Sequence, residues 1–298
     1  MPVTAQMVKE LREKTAAGML DCKKALEATD GNMEEAVKWL REKGIAKAEK
    51  KSSRIAAEGL CSFEIKGNEA VVFEVNSETD FVAKNQKFID LINLIGQALI
   101  NSDAKCTDCA LNVTVNGKTI NEIILEASGT IGEKLSLRRV QRLVKTDSQV
   151  FGAYKHMGGS IVTLSILDGN DEEAAKDVAM HVCAIAPRYV SKDDVSDEVI
   201  ESERQILLAQ ALNENAQSDK PKPEAIIAKM VEGRLNKSLQ EMCLLNQPFV
   251  KNPDQTVEVY VKSKGCKVVS FVRLAVGEGI EKREDDFAKE VAAQAGLN

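Results

Sequence analysis

Within residues 70–99 the spacing of apolar positions changes from that of a strand to that of a helix. Ala70, Val71, Val72, Phe73 and Val75 form a nearly unbroken run of small, β-branched and aromatic residues, which predicts a strand buried on both faces. Further on, Phe88, Leu91, Ile92, Ile95 and Leu99 recur at helical spacing, so one face of that helix is expected to lie against the sheet. Between the two runs, Asn76, Ser77, Thr79 and Asp80 offer side-chain oxygens suited to the unpaired amides at the start of the helix. Phe81 interrupts this polar stretch and has two readings. It is either a staple packing the turn onto its own core or an exposed wedge for a partner, where full burial contributes about 1.5 to 3 kcal/mol. Composition does not choose between them.

Taken in order, residues 1–44 read as three short helices. Val8 and Leu11 start the first, residues 15–18 break it, and Asp21 is expected to cap a second carrying Ala25 and Leu26. Asp30-Gly31-Asn32 then turns the chain into a third, with Met33, Ala36, Val37 and Leu40 on one face. The charged stretch 45–54 suits an exposed hinge or a solvated helix end. Residues 57–75 give two strands around the turn 66–68, residues 120–127 a helix and residues 132–144 a strand. A weak repeat follows: residues 151–166 are strand-like around Gly158-Gly159, and residues 171–186 are helical with Ala175, Val178, Ala179 and Val182 on one face. Two such units predict an α+β fold, a duplicated core of antiparallel sheets covered by helices on one side.

Residues 187–247 differ from the rest. Val199 and Ile206, and Ile200 and Leu207, recur seven apart, Pro221 and Pro223 punctuate, and Ile227, Val231 and Leu235 resume beyond them. An antiparallel helical hairpin is expected, with a heptad signal covering only two repeats. Strands are then expected at 257–261 and 268–276, and Gly277-Glu278-Gly279 leads to a last helix near 284–295.

Composition narrows the function classes. A net charge of -6 disfavours a large nucleic-acid footprint, which needs clustered Lys and Arg, and no span is apolar for long enough to cross a membrane. Residues 1–9 lack the apolar run of a secretion signal, so a cytoplasmic address is expected. The seven cysteines are irregularly spaced and read as reduced thiols, Cys22 and Cys183 as core fillers. Cys106 and Cys109 form a C-x-x-C, for which a zinc or redox role would need a second ligand pair or a helix entrance, and neither is legible. The two histidines, His156 and His181, lack the spacing of a metal or acid-base pair, and no phosphate-binding, nucleophile-elbow or dinucleotide motif occurs. No cofactor or metal is expected, and the chain reads as a protein that makes and breaks no bonds. His181 is expected to be packed; His156, beside Gly158-Gly159, is expected to be exposed.

The string at residues 74–84, E-V-N-S-E-T-D-F-V-A-K, closely resembles the signature of the elongation factor Ts family, with its T-D-F-V as Thr79, Asp80, Phe81 and Val82. That family's L-R-x-x-T-G-x-G-M is matched by Leu11, Arg12, Thr15, Gly18 and Met19, with Ala16 in place of a glycine. Such a replacement is costly where a positive φ is needed and mild in a helical turn. Residues 21–40 also resemble ubiquitin-associated domains, small three-helix modules that bind proteins. The family resemblance implies a nucleotide-exchange factor for elongation factor Tu. It implies that Arg12, Met19 and Leu20 bind the partner's nucleotide-binding domain, and that Asp80 and Phe81 form a tip pushed between two of its helices, disturbing the magnesium and phosphate site. Ile131, Gly132 and His156 match further contact positions. Bacterial members of the family carry a hairpin inserted in the second half of the core, through which a homodimer is possible.

The implied organisation is a three-helix module with linker (1–54), a first core subdomain (55–150), the second subdomain in two parts (151–186 and 247–276) around the hairpin (187–246), and a C-terminal helical module (277–298). Two rival readings stay open: a non-catalytic adaptor working through its ubiquitin-associated-like module, and a zinc or redox protein built on Cys106 and Cys109.

Overall fold

The computed structural model describes residues 3–15, 17–49, 51, 53–218 and 222–281; the expected helix at 284–295, the departure at Ala16 and the punctuating Pro221 lie outside the described residues. The architecture is α+β, with N-terminal helices followed by antiparallel sheets and their covering helices. The described residues divide into two compact units, those within 3–144, 157–161 and 274–281 in the first, and those within 145–156 and 162–273 in the second.

The first unit begins with α1 (Ala5–Thr15), α2 (Met19–Ala28) and α3 (Met33–Glu49), closed around Val8, Leu11, Cys22, Ala25, Leu26 and Ala36. Helix α2 starts straight after Gly18, so Asp21 is not its cap but sits in its first turn, where the helix dipole favours a carboxylate. Asn32 caps α3, its Oδ1 accepting from the amides of Glu34 and Glu35. Ala36 is buried but its neighbour Val37 is turned outward, so the apolar face of α3 is narrower than its spacing suggested. The charged stretch after residue 44 continues α3 as a helix end.

Next come β1 (Glu58–Lys66) and β2 (Glu69–Ser77), then the one-turn α4 (Asp80–Ala83), α5 (Gln86–Ile100) and α6 (Thr107–Leu111). The hairpin β3 (Thr114–Val115) and β4 (Lys118–Thr119) turns on Asn116-Gly117, both at positive φ, and leads to α7 (Ile120–Ile131) and β5 (Ser136–Val144). The sheet order is β1-β2-β5, both pairs antiparallel, and central β2 is buried from Ala70 to Ser77. Val71, Phe73 and Val75 face one core with Phe88, Ile95 and Leu99 of α5 and Ile120 and Ile124 of α7, as the change of period predicted. Helices α3 and α7 cross where Gly44 meets Gly129: a Cβ at Gly129 would lie 2.8 Å from the Gly44 backbone, so Gly129 has no room for a side chain. Arg41 and Lys118 both pair with Glu126 beside this crossing.

Two expectations fail in this unit. The main helix does not follow β2 directly; α4 intervenes, and Asn85 caps α5 by accepting from Lys87 N–H at 3.0 Å. The earlier polar residues have other partners, Asn76 donating to Glu58 O and Glu74 Oε1, and Ser77 Oγ to Thr79 O. Cys106 does stand at a helix entrance, as the N-cap of α6.

The second unit holds β6 (Gln149–His156), β7 (Ile161–Asp168), α8 (Glu172–Ile185), α9 (Asp197–Ala216), α10 (Glu224–Met242), β8 (Pro248–Phe249), β9 (Asn252–Thr256), α11 (Val257–Ser263) and β10 (Lys267–Ala275). Its main sheet has the order β10-β7-β6. Ala175, Val178, Ala179 and Val182 of α8 are buried, and Thr163 and Ser165 of β7 donate hydroxyl hydrogen bonds to the carbonyls of Ala179 and Ala175 at 2.7 and 2.8 Å. The expected strand at 257–261 is instead helix α11. V-E-V-Y-V alternates like a strand, but Thr256 caps a helix there, and Val257, Tyr260 and Val261 go into the core at helical spacing while Val259 stays exposed.

Helices α9 and α10 form the expected antiparallel hairpin, with Ile227, Val231, Leu235 and Leu239 buried. Ile200 and Leu207 pack on that seam while Ile206 is exposed, so only one of the two heptad pairs is complete. His181 is packed as expected: its Nδ1 accepts from Val250 N–H, leaving Nε2 to donate to Gln247 Oε1 at 2.9 Å. Burial holds its pKa below the usual imidazole range.

Candidate partner-binding surface

The turn after β2 is held by a reciprocal pair of carboxylates. Glu133, just past α7, accepts from the amides of Glu78 (3.1 Å) and Thr79 (3.0 Å) and from the Thr79 hydroxyl (2.6 Å). Glu78 in return accepts from Lys134 N–H at 2.6 Å and pairs with Arg54 at 3.2 Å. Because its hydroxyl is committed to Glu133, Thr79 occupies the N-cap of α4 without capping it by its side chain. Charged acceptors on backbone amides are among the stronger hydrogen bonds of proteins, so this loop is fixed from both sides.

On that support, adjacent side chains diverge. Val82 is 7% exposed and joins the core of α5 and β2, whereas Phe81 is 80% exposed. Val82 therefore fills the staple role considered for Phe81, and Phe81 projects from a one-turn helix. Asp80 is exposed beside it and bonded to Lys84 Nζ at 2.7 Å, a bond that holds its carboxyl below the usual range.

The bracing brings a second expected group to the same loop. Ile131 is half-buried at the end of α7, and exposed Gly132 closes the helix at φ 93°, a left-handed conformation that glycine adopts without strain. Gly132 directly precedes Glu133, so Thr79–Val82 and Ile131–Gly132 are joined through one carboxylate. The Gly132 carbonyl also accepts from Lys51 Nζ.

The remaining expected residues sit on other elements. Met19 and Leu20 open α2 with 59% and 74% of their surface exposed, and Arg12 lies exposed on α1. His156 ends β6 in the second unit, half-buried rather than exposed and stacked on Tyr154 with ring centroids 6.2 Å apart. Glu78, Glu133 and Lys134 leave no local pattern in the sequence because the brace is made of hydrogen bonds between residues about 54 apart. The one available cue was charge directly following a glycine helix stop, in Gly132-Glu133-Lys134.

An apolar ring raised on a braced loop and a second exposed apolar pair on a small helical module are features of the kind that anchor partner proteins. Residues 78–278 match the family model described as Elongation factor TS, well over half of the 298-residue chain and including the Phe81 tip, the brace and the hairpin. The chain belongs to the elongation factor Ts family, translation elongation factors that act as nucleotide-exchange factors for elongation factor Tu. Among the described residues no helix is long and apolar enough to cross a membrane.

Proposed function

We propose that this chain accelerates GDP release from elongation factor Tu by inserting Phe81 between two helices of the partner's nucleotide-binding domain and disturbing its magnesium and phosphate site. The observation that carries the reading is the exposed Phe81 beside anchored Val82, on a loop braced by Glu133. The step is linkage and involves no covalent chemistry. A factor that binds the nucleotide-free partner more tightly than the GDP form must weaken GDP binding by the same factor. Burying one phenylalanine only in the empty state supplies roughly one to two decades of that coupling.

In this reading Asp80, Phe81, Thr79 and Val82 form the exchange tip. Arg12, Met19 and Leu20 supply docking affinity, and Ile131, Gly132 and His156 extend the contact. The six-segment organisation, a cytoplasmic address and membership of the bacterial type belong to the same proposal. The inserted hairpin α9–α10 supports the last of these and offers a surface for a homodimer.

The test is stopped-flow release of fluorescent GDP from elongation factor Tu. Phe81→Ala is expected to slow release at saturating factor by about tenfold or more while leaving the thermal midpoint unchanged. Arg12→Ala and Met19→Ala should instead raise the factor concentration needed for half-maximal effect. Unchanged release at saturation with Phe81→Ala removes the wedge.

A further inference from the structure

Of the seven cysteines, Cys22, Cys61, Cys183, Cys243 and Cys266 are buried, and Cys106 and Cys109 are exposed. These two are not merely near each other in sequence. Cys106 is the N-cap of α6, and its Sγ accepts from the Cys109 backbone N–H at 3.2 Å. That amide bond sets the two exposed thiols three residues apart on one short turn. The scaffold beneath them is fixed: Ala110 is fully buried in the core of the first unit, and Thr107 Oγ1 accepts from Val140 N–H of β5 at 3.2 Å. Two exposed thiols thus stand on one turn of a fixed scaffold, one of them bonded to the other's backbone amide.

We propose that Cys106 and Cys109 form a reversible dithiol–disulfide pair, with Cys106 the attacking and Cys109 the resolving thiol, that exchanges with low-molecular-weight disulfides.

The Cys106 thiolate attacks one sulfur of a disulfide RSSR, forming a mixed disulfide and expelling RS−, which takes up the proton Cys106 has lost. Cys109 then gives up its proton and attacks Cys106 Sγ; the Cys106–Cys109 bond forms, the mixed disulfide breaks, and a second RSH leaves. The protein loses two electrons and two protons, and RSSR becomes two RSH. The assignment of roles follows from the hydrogen bonds. The Cys109 S–H first, then the Cys109 amide, stabilise negative charge on Cys106 and lower its pKa, while Cys109, holding the shared proton, is raised. The buried thiols Cys22, Cys61, Cys183 and Cys243 are all pushed up by burial and do not compete.

The test is equilibration of the full chain in glutathione redox buffers, followed by alkylation and peptide mass spectrometry. Wild type is expected to lose two hydrogens on the peptide containing both cysteines, reversibly, with Cys106 alkylated about tenfold or more faster than the buried thiols. Cys109→Ser should trap a stable glutathione adduct on Cys106, and Cys106→Ser should abolish the fast reaction; both positions are exposed, so neither change disturbs the core. Accumulation of an unresolved adduct on wild type, or equal reactivity of Cys106 and the buried thiols, overturns the proposal. Because the readout is thiol state alone, either result leaves the exchange reading untouched.

Discussion

Glu133 decides where Phe81 points. The T-D-F-V string contains two apolar residues side by side, and nothing within it says which goes inward. The outcome is set by the brace, which fixes the amides of Glu78 and Thr79 and so the direction in which α4 begins. Replacing Glu133 by Ala removes three acceptor contacts at once and leaves two half-buried amides to find water. With hydrogen bonds to a charged group worth about 1.5 to 3 kcal/mol each, and water recovering part of that, the loop should open about tenfold or more often. Amide hydrogen exchange of Glu78 and Thr79 measures this directly, and GDP release should slow although Phe81 itself is intact. Unaltered protection of those amides would mean the turn is held by Val82 packing alone. Exposure of a single aromatic was therefore not legible locally, whereas its presence in a polar turn was.

At the scale of elements, long periodic stretches were legible because one template fitted them far better than the other. Helices α5 and α8 and the buried strand β2 fall where the spacing put them, and every apolar residue named for α5 is buried. Helix α11 was misread because V-E-V-Y-V satisfies both periods, and the deciding residue, Thr256, lies outside the alternation. A Thr cap followed by burial at three and four residues' spacing is a helix signature that a five-residue window conceals. The two templates make opposite demands on Val259 and Val261, which share a strand face but not a helix face. Val259→Lys should change stability by less than about 0.5 kcal/mol, since its side chain is already 53% exposed. Val261→Lys buries an unpaired ammonium beside Leu244 and Phe249 and should cost about 3 kcal/mol or more. Urea denaturation of both variants separates them, and equal destabilisation would restore the strand.

At the scale of the whole molecule, a long-range tie among the described residues of the first unit is a buried carboxylate that no local pattern announces. Glu74 sits at the centre of β2 with no exposed surface, accepting from Asn76 Nδ2 (2.9 Å), Gly277 N–H (2.8 Å) and the guanidinium groups of Arg138 and Arg139. Gly277 is 203 residues away, so this one side chain joins β2 and β5 to the end of the described chain. Glu74 enters the sequence pattern only as the first residue of the 74–84 string; the reason for a charge there is the return of residues 274–281 to the first unit. Burial alone would raise the Glu74 pKa, but the Gly277 amide, Asn76 and Arg139 together outweigh it, and the net shift is downward from 4.5. The folded carboxylate therefore resists a proton that the unfolded one accepts, so its contribution is complete above about 4.5 and is lost as pH falls through the lower folded value. The single tryptophan, Trp39, lies in the same unit and reports its unfolding by fluorescence. Glu74→Gln should lower the urea midpoint of that signal at neutral pH, a loss of about 2 to 4 kcal/mol in unfolding free energy, because the glutamine keeps the Gly277 bond but removes the charge that Arg138 and Arg139 share. It should also flatten the loss of stability between pH 4.5 and lower values relative to wild type. The same acid slope in both proteins would show that the returning segment is held by its backbone contacts, Val276 N–H to Ser160 O among them, and not by this charge.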